Sequence, residues 1–188
     1  CSSDLNDYAT DLQKQVNDFN KGLDIYGDKI EGVDIPFSYG MACYPEKHEE
    51  APNLNSDLRI AVEKVKNGAQ YLVTQMFFDN QILYNYLYQL REAGITIPVI
   101  AGIMPVTNPA QIKRICELSG TVLPQRFKAI VEKFGDNQEA MEQAGIAYAT
   151  DQIIDLYANG ITNVHVYSMN KPDVAEKIQS NLSDILGK

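Results

Sequence analysis

A short repeated punctuation constrains most strongly what this chain can become. At Asn67-Gly68, Ala93-Gly94 and Asn159-Gly160, a stretch with helical spacing of apolar residues ends on a glycine, and a run of apolar, β-prone residues follows. Glycine just past a helix end accepts the left-handed backbone that stops the helix. The runs that follow cover residues 71–78, 97–104 and 164–169. A fourth run, 36–44, comes after an acidic, glycine-containing connection over residues 22–34. Such nearly continuous apolar runs predict strands covered on both faces, hence parallel pairing with helical crossovers.

Helical spacing predicts segments over residues 4–19, 56–67, 80–93, 109–118, 124–134, 137–158 and 172–186. In 56–67, Leu58, Ala61, Val62 and Val65 share one face, with Asp57 and Lys64 on a polar flank. In 80–93, Ile82, Leu83, Leu87 and Leu90 form the apolar stripe. Asn108-Pro109 reads as an N-cap followed by proline in the first helical turn. Strands alternating with helices define an α/β fold with right-handed crossovers. A complete (β/α)8 barrel takes ~250 residues, whereas 188 residues offer four strands. The chain is therefore a single domain over residues 1–188, either a small open α/β unit or half of a barrel.

Composition narrows the partners. Asp and Glu number 25 against 16 Lys and Arg, a formal net charge of −9, which disfavours nucleic acid and anionic membrane surfaces. No apolar run approaches the ~20 residues of a membrane span. The three cysteines, Cys1, Cys43 and Cys116, are too few and too far apart for a disulfide framework or a zinc site. Cys43 and Cys116 read as small buried hydrophobes in a reducing, cytoplasmic compartment. The opening Cys1-Ser2-Ser3 supports two expectations: a piece of a longer protein, or a non-enzymatic α/β ligand-binding lipoprotein anchored through Cys1.

Ligands of βα proteins gather where strands end and helices begin. Those corners hold Ala42-Cys43-Tyr44-Pro45-Glu46-Lys47-His48, Thr74-Gln75, Gly102 to Asn108 with Gln111 one turn further, and Tyr167 to Lys171. His48 in its polar loop reads as a solvated surface histidine as readily as a ligand. Gln75 interrupts an apolar strand, so its amide must bond either structure or ligand, because burying it unpaired costs ~1–3 kcal/mol. Gln111 reads as an exposed helical residue or a contact, and His165 as an interior or interface histidine. Glu49-Glu50 reads as solvated charge. No GxGxxG, Walker loop or GxSxG elbow is present. Spacing alone stops at an α/β protein with a polar site.

The blocks Tyr44-Pro45-Glu46-Lys47-His48, Thr74-Gln75-Met76-Phe77-Phe78-Asp79 and Pro98-Val99-Ile100-Ala101-Gly102-Ile103-Met104-Pro105-Val106 resemble the methylenetetrahydrofolate reductase family, short bacterial type. So do Tyr8-Ala9-Thr10-Asp11-Leu12 and Tyr167-Ser168-Met169-Asn170. The resemblance covers essentially the whole chain and implies the carboxyl-terminal half of a (β/α)8 TIM barrel, its last four βα units. It implies FAD as cofactor, NADH or NADPH as cosubstrate, and reduction of 5,10-methylenetetrahydrofolate to 5-methyltetrahydrofolate.

By the same resemblance Tyr8, Ala9, Ala42, Tyr44, His48, Asp57 and Lys64 bind FAD, and Gln75, Gln111 and Lys171 bind the folate. No catalytic residue and no metal ligand is assigned in this chain. Lys171 stands where the family has a folate-binding arginine, keeping the charge but losing the bidentate fork. Ile60 and Glu63 replace polar or basic residues that touch FAD in some members. The family's proton-donating glutamate belongs to a first strand with no counterpart here, so these 188 residues are expected to be inactive alone. The exposed edges of a half-barrel are expected to drive homo-oligomerisation. An aldolase-type half-barrel without flavin is a further alternative.

Overall fold

In a computed structural model of the protein, residues 6–31 and 34–187 are described, apart from the side chains of residues 111, 113, 114, 117 and 118. Cys1 lies outside this range. Helix α1 (Ala9–Asn20) precedes strand β1 (Gly40–Cys43), and three strand–helix steps follow. These are α2 (Leu54–Lys66), β2 (Tyr71–Thr74), α3 (Asn80–Glu92), β3 (Val99–Ile103), α4 (Pro109–Ser119), α5 (Gln125–Phe134), α6 (Gln138–Ala158) and β4 (Val164–Val166). Helices α7 (Pro172–Asn181) and α8 (Ser183–Leu186) complete the described chain.

All four strands pair in parallel, in the order β1-β2-β3-β4, with Cys43 opposite Thr74, Leu72 opposite Val99 and Ile103 opposite Val166. Each strand lies beside its predecessor. A doubly wound sheet would instead reverse direction at a switch point. Sequential parallel order with helices on one side is the progression of a (β/α)8 barrel, and the structure supplies four consecutive strands of it.

The three punctuating glycines behave as their position predicts. Gly68, Gly94 and Gly160 have φ of 110°, 81° and 79°, one residue beyond the caps Asn67, Ala93 and Asn159. N-caps are equally local: Asn53, Asp79, Asn108 and Asn137 each accept a backbone N–H of their own first turn. The Asn53 cap starts α2 two residues earlier than apolar spacing alone predicts.

The strands are shorter than the apolar runs that predicted them. After Thr74 the chain leaves the ladder, and Phe77 and Phe78 turn beneath the helices instead of pairing. Phe77 joins Leu83, Ala101, Ile103, Ile153 and Val174 in the larger core. Phe78 stacks on Phe127 at 5.0 Å between ring centroids. A second core between sheet and helices holds Cys43, Leu72, Tyr86, Leu90 and Val99. One contact is unusually close: a Cβ on Gly145, in the middle of α6, would collide with the carbonyl of Val106. Only glycine lets α6 lie against the connection that leaves β3.

Side chains alternate across the sheet. Cys43, Leu72, Ala101 and Ile103 face the helices, while Ala42, Tyr71, Val73 and Tyr167 line a groove on the other face. Among the described residues no helix is long and apolar enough to cross a membrane.

Candidate functional site

Two helices and one strand end build the first part of the site. Helix α1 is fastened along α2: Gln13 Nε2 donates to the Lys64 carbonyl at 2.7 Å and Asn17 Nδ2 to the Asn67 carbonyl at 2.7 Å. At the start of α1 the Tyr8 backbone N–H donates to Asp11 Oδ2 at 2.9 Å. That packing brings the Tyr8-Ala9 end over the chain leaving β1. The result is a cavity of about 640 Å3 lined by Tyr8, Ala9, Tyr44, His48, Asp57 and Lys64, with Asp7, Glu50, Ile60 and Glu63 also on its wall. Six of the seven residues expected at a cofactor thus share one cavity.

Asp57 and Lys64, expected on a polar flank of their helix, are buried. They are 5% and 7% exposed. Seven residues apart, they lie on one helical face, which the β1–α2 loop and α1 cover. Asp57 Oδ2 accepts the His48 backbone N–H at 3.1 Å, and Lys64 Nζ donates to the Ala42 carbonyl at 2.8 Å. Lys64 Nζ also lies 5.8 Å from the centroid of the Tyr44 ring, a cation–π distance. Burial lowers the Lys64 amine and raises the Asp57 carboxyl from their ordinary values, and the attraction between the two opposes both shifts. Burial likewise raises the Tyr44 phenol, with Asp57 adding to it.

His48 is not a free surface group either. It is half-buried, its ring stands edge-on to Tyr44 at 4.6 Å, and its Nδ1 accepts the Glu50 N–H at 3.2 Å.

A groove of about 180 Å3 on the open face of the sheet is lined by Gly40, Ala42, Tyr44, Tyr71, Val73, Gln75 and Tyr167. Tyr44 lines both spaces. Gln75 is half-buried, and its Oε1 accepts the N–H of Met76 at 3.0 Å. Its carboxamide therefore keeps the NH2 edge for a further partner. Tyr167 donates to the Thr74 carbonyl at 2.9 Å across the groove, and burial raises its phenol. His165, one alternation earlier, is exposed, with its ring 4.6 Å from Tyr167.

Lys171 reaches the same end of the sheet from the other side. Met169 and Asn170 both take left-handed backbone, with φ of 51° and 61°, and turn the chain back before α7. Lys171 Nζ then donates to Thr107 Oγ1 at 2.9 Å. The structure brings Tyr44 and Gln75 together on the groove, and it sets Lys171 at the mouth beyond β3. Gln111 lies in α4, and its side chain is outside those described. Sequence reading missed Thr107, Tyr167 and Gln13 as parts of the site. Thr107 and Tyr167 sit in corners already singled out; Gln13 carries no local signal.

A parallel sheet in sequential strand order, with one space along its open face and another beside the end of β1, defines the class: part of a (β/α)8-barrel fold. Within that class the chain belongs to the methylenetetrahydrofolate reductase family, whose sequence profile matches residues 4–183. It is 36% identical over 155 residues to methylenetetrahydrofolate reductase (NADH) 1 of Arabidopsis thaliana, covering 78% of this chain and 26% of that protein. Against 5,10-methylenetetrahydrofolate reductase of Escherichia coli the identity is 30%, over 76% of this chain and 48% of that one. The chain thus spans between about a quarter and half of these relatives. In structure it resembles an uncharacterised protein from Clostridium thermocellum that binds two copies of 5-methyl-5,6,7,8-tetrahydrofolic acid. That likeness has a TM-score of 0.56 at 17% identity, over 81% of this chain and 56% of the other, and it bears on fold alone.

Proposed function

We propose that the full-length protein reduces 5,10-methylenetetrahydrofolate to 5-methyltetrahydrofolate with NADH or NADPH and FAD, and that this chain supplies much of the binding surface. The observation that carries the reading is the convergence of Tyr8, Ala9, Tyr44, His48, Asp57 and Lys64 on one cavity. Tyr44 also lines the groove holding Ala42 and Gln75.

Several residues on this wall support FAD as its occupant. Tyr44 and Tyr8 offer ring surface, and Lys64 offers a cation for the diphosphate. Asp7, Glu50, Asp57 and Glu63 on the wall oppose that diphosphate, so Lys64 carries the neutralisation nearly alone. FAD bound there would supply hydride chemistry between the nicotinamide and the folate. Ala42 fixes the Lys64 ammonium through its carbonyl, and Asp57 fixes the His48 backbone. Gln75 turns its NH2 edge to an acceptor on the pterin, and Gln111 and Lys171 complete the folate contacts.

Among the described residues the groove lining includes no carboxylic acid, its titratable groups being the phenols of Tyr44, Tyr71 and Tyr167, so it offers no carboxyl general acid for opening the folate's five-membered ring. Loss of such an acid slows a step by ~10²–10⁴-fold. The 188-residue chain is therefore expected to bind flavin, turn yellow, and fail to reduce methylenetetrahydrofolate at a useful rate. Lys64→Met should weaken flavin binding at least about tenfold, the size of one charge-assisted hydrogen bond. Unchanged affinity in that variant would remove FAD from this cavity, and brisk turnover by the 188-residue chain would contradict the missing-acid reading.

A further inference from the structure

Thr107 is 6% exposed, at the end of the connection that leaves β3. Its oxygen accepts from Lys171 Nζ at 2.9 Å. A hydroxyl that accepts still has its own proton to donate, and among the described residues no acceptor takes it. The backbone of Thr107 is fixed independently: its carbonyl accepts Gln138 Nε2 at 2.6 Å, and the next residue, Asn108, caps α4. On the other side, the consecutive left-handed residues Met169 and Asn170 hold Lys171 against it. Left-handed backbone at a non-glycine residue persists only where its surroundings impose it, and such positions cluster at ligand clamps.

We propose that Thr107 is a second anion-binding residue of the folate site: its hydroxyl and the Lys171 ammonium together grip one carboxylate of the substrate's acidic tail. Lysine alone is a point charge, while a carboxylate has two oxygens to satisfy. With Thr107 bonded to Lys171, an ammonium donor and a hydroxyl donor stand about one hydrogen bond apart. That pair supplies the two-point recognition which a single lysine lacks. The inference rests on the folate reading above and deepens it at this one position.

The test is equilibrium binding of 5-methyltetrahydrofolate to the full-length protein, beside a tetrahydropterin that lacks the acidic tail. Thr107→Val should weaken binding of the full ligand about tenfold and leave the tail-less pterin unchanged. Thr107→Ser should restore most of the loss. In a Lys171→Met background, Thr107→Val should still cost several-fold, because the hydroxyl donates to the ligand itself. No further cost in that background would reduce Thr107 to a support for Lys171 and overturn the proposal. If neither Lys171→Met nor Thr107→Val changes binding of the full ligand, the folate reading of this mouth fails as well. Equal losses for full ligand and tail-less pterin would mean a folding defect, and would also overturn it.

Discussion

Cys43 is 1% exposed beneath α2, and burial pushes its thiol up to about 12. The thiolate is the reactive form of cysteine, so at pH 8 Cys43 should resist iodoacetamide in the native protein and react on unfolding. Peptide mapping by mass spectrometry reads this site by site, and native labelling at the rate of an ordinary thiol would contradict the packing. That Cys43 is a small buried hydrophobe was legible from its apolar surroundings. The environment of Asp57 and Lys64 was not. Their seven-residue spacing reveals a common face, but nothing local says that α1 and the β1–α2 loop will cover it. Gln13, 51 residues from the carbonyl it meets, marks the limit of reading by neighbourhood.

At the scale of elements, helix ends were legible because glycine and Asn or Asp caps act within one turn. Strand ends were not. Apolar runs continue past the ladder because Phe77 and Phe78 serve the core behind the sheet, and hydrophobicity does not distinguish a paired residue from a packed one. Helices α3 and α6 are joined by another feature no pattern announces: Asp155 Oδ2 accepts Asn80 Nδ2 at 2.7 Å and the Tyr84 hydroxyl at 2.6 Å.

These bonds lower the Asp155 carboxyl below its ordinary value, the Tyr84 bond contributing most. Burial first, and then Asp155, raises the Tyr84 phenol to about 12. The stabilisation from a lowered carboxyl is present above its ordinary value near 3.8 and lost as pH falls through the folded one. That from a raised phenol is present below about 10 and lost as pH rises towards about 12. Asp155→Asn should therefore flatten the acid limb of a denaturation profile and Tyr84→Phe the alkaline limb. Unchanged limbs would mean that the network opens in solution.

For the whole molecule, four parallel strands leave β1 and β4 each with an unpaired edge among the described residues. Exposed Ile35 and Phe37 lie just before β1. Unpaired edges invite pairing, so the 188-residue chain by itself should sediment as a dimer or larger, in proportion to concentration. A monomer at all concentrations would show that these edges are adequately protected. Four strands alternating with helices were legible because both follow from local signals, but the choice between a small open sheet and half of a barrel came from the family resemblance and from the sequential order of the strands in the sheet. The meeting of Thr107 with Lys171, 64 residues apart, was not, because it depends on how β3 and β4 are placed side by side.

The glycine at the centre of α6 has a mechanical consequence. Because Gly145 lies hard against the Val106 carbonyl, the long helix is a backstop for the residue next to Thr107. Adding one methyl group there would lever the connection outward, without altering any atom that meets a ligand. Overpacking of this kind costs ~1–3 kcal/mol, so Gly145→Ala should lower the melting temperature and slacken the grip on the acidic tail in the same variant. A lowered melting temperature with undiminished ligand affinity would mean that the connection recoils independently of the helix behind it.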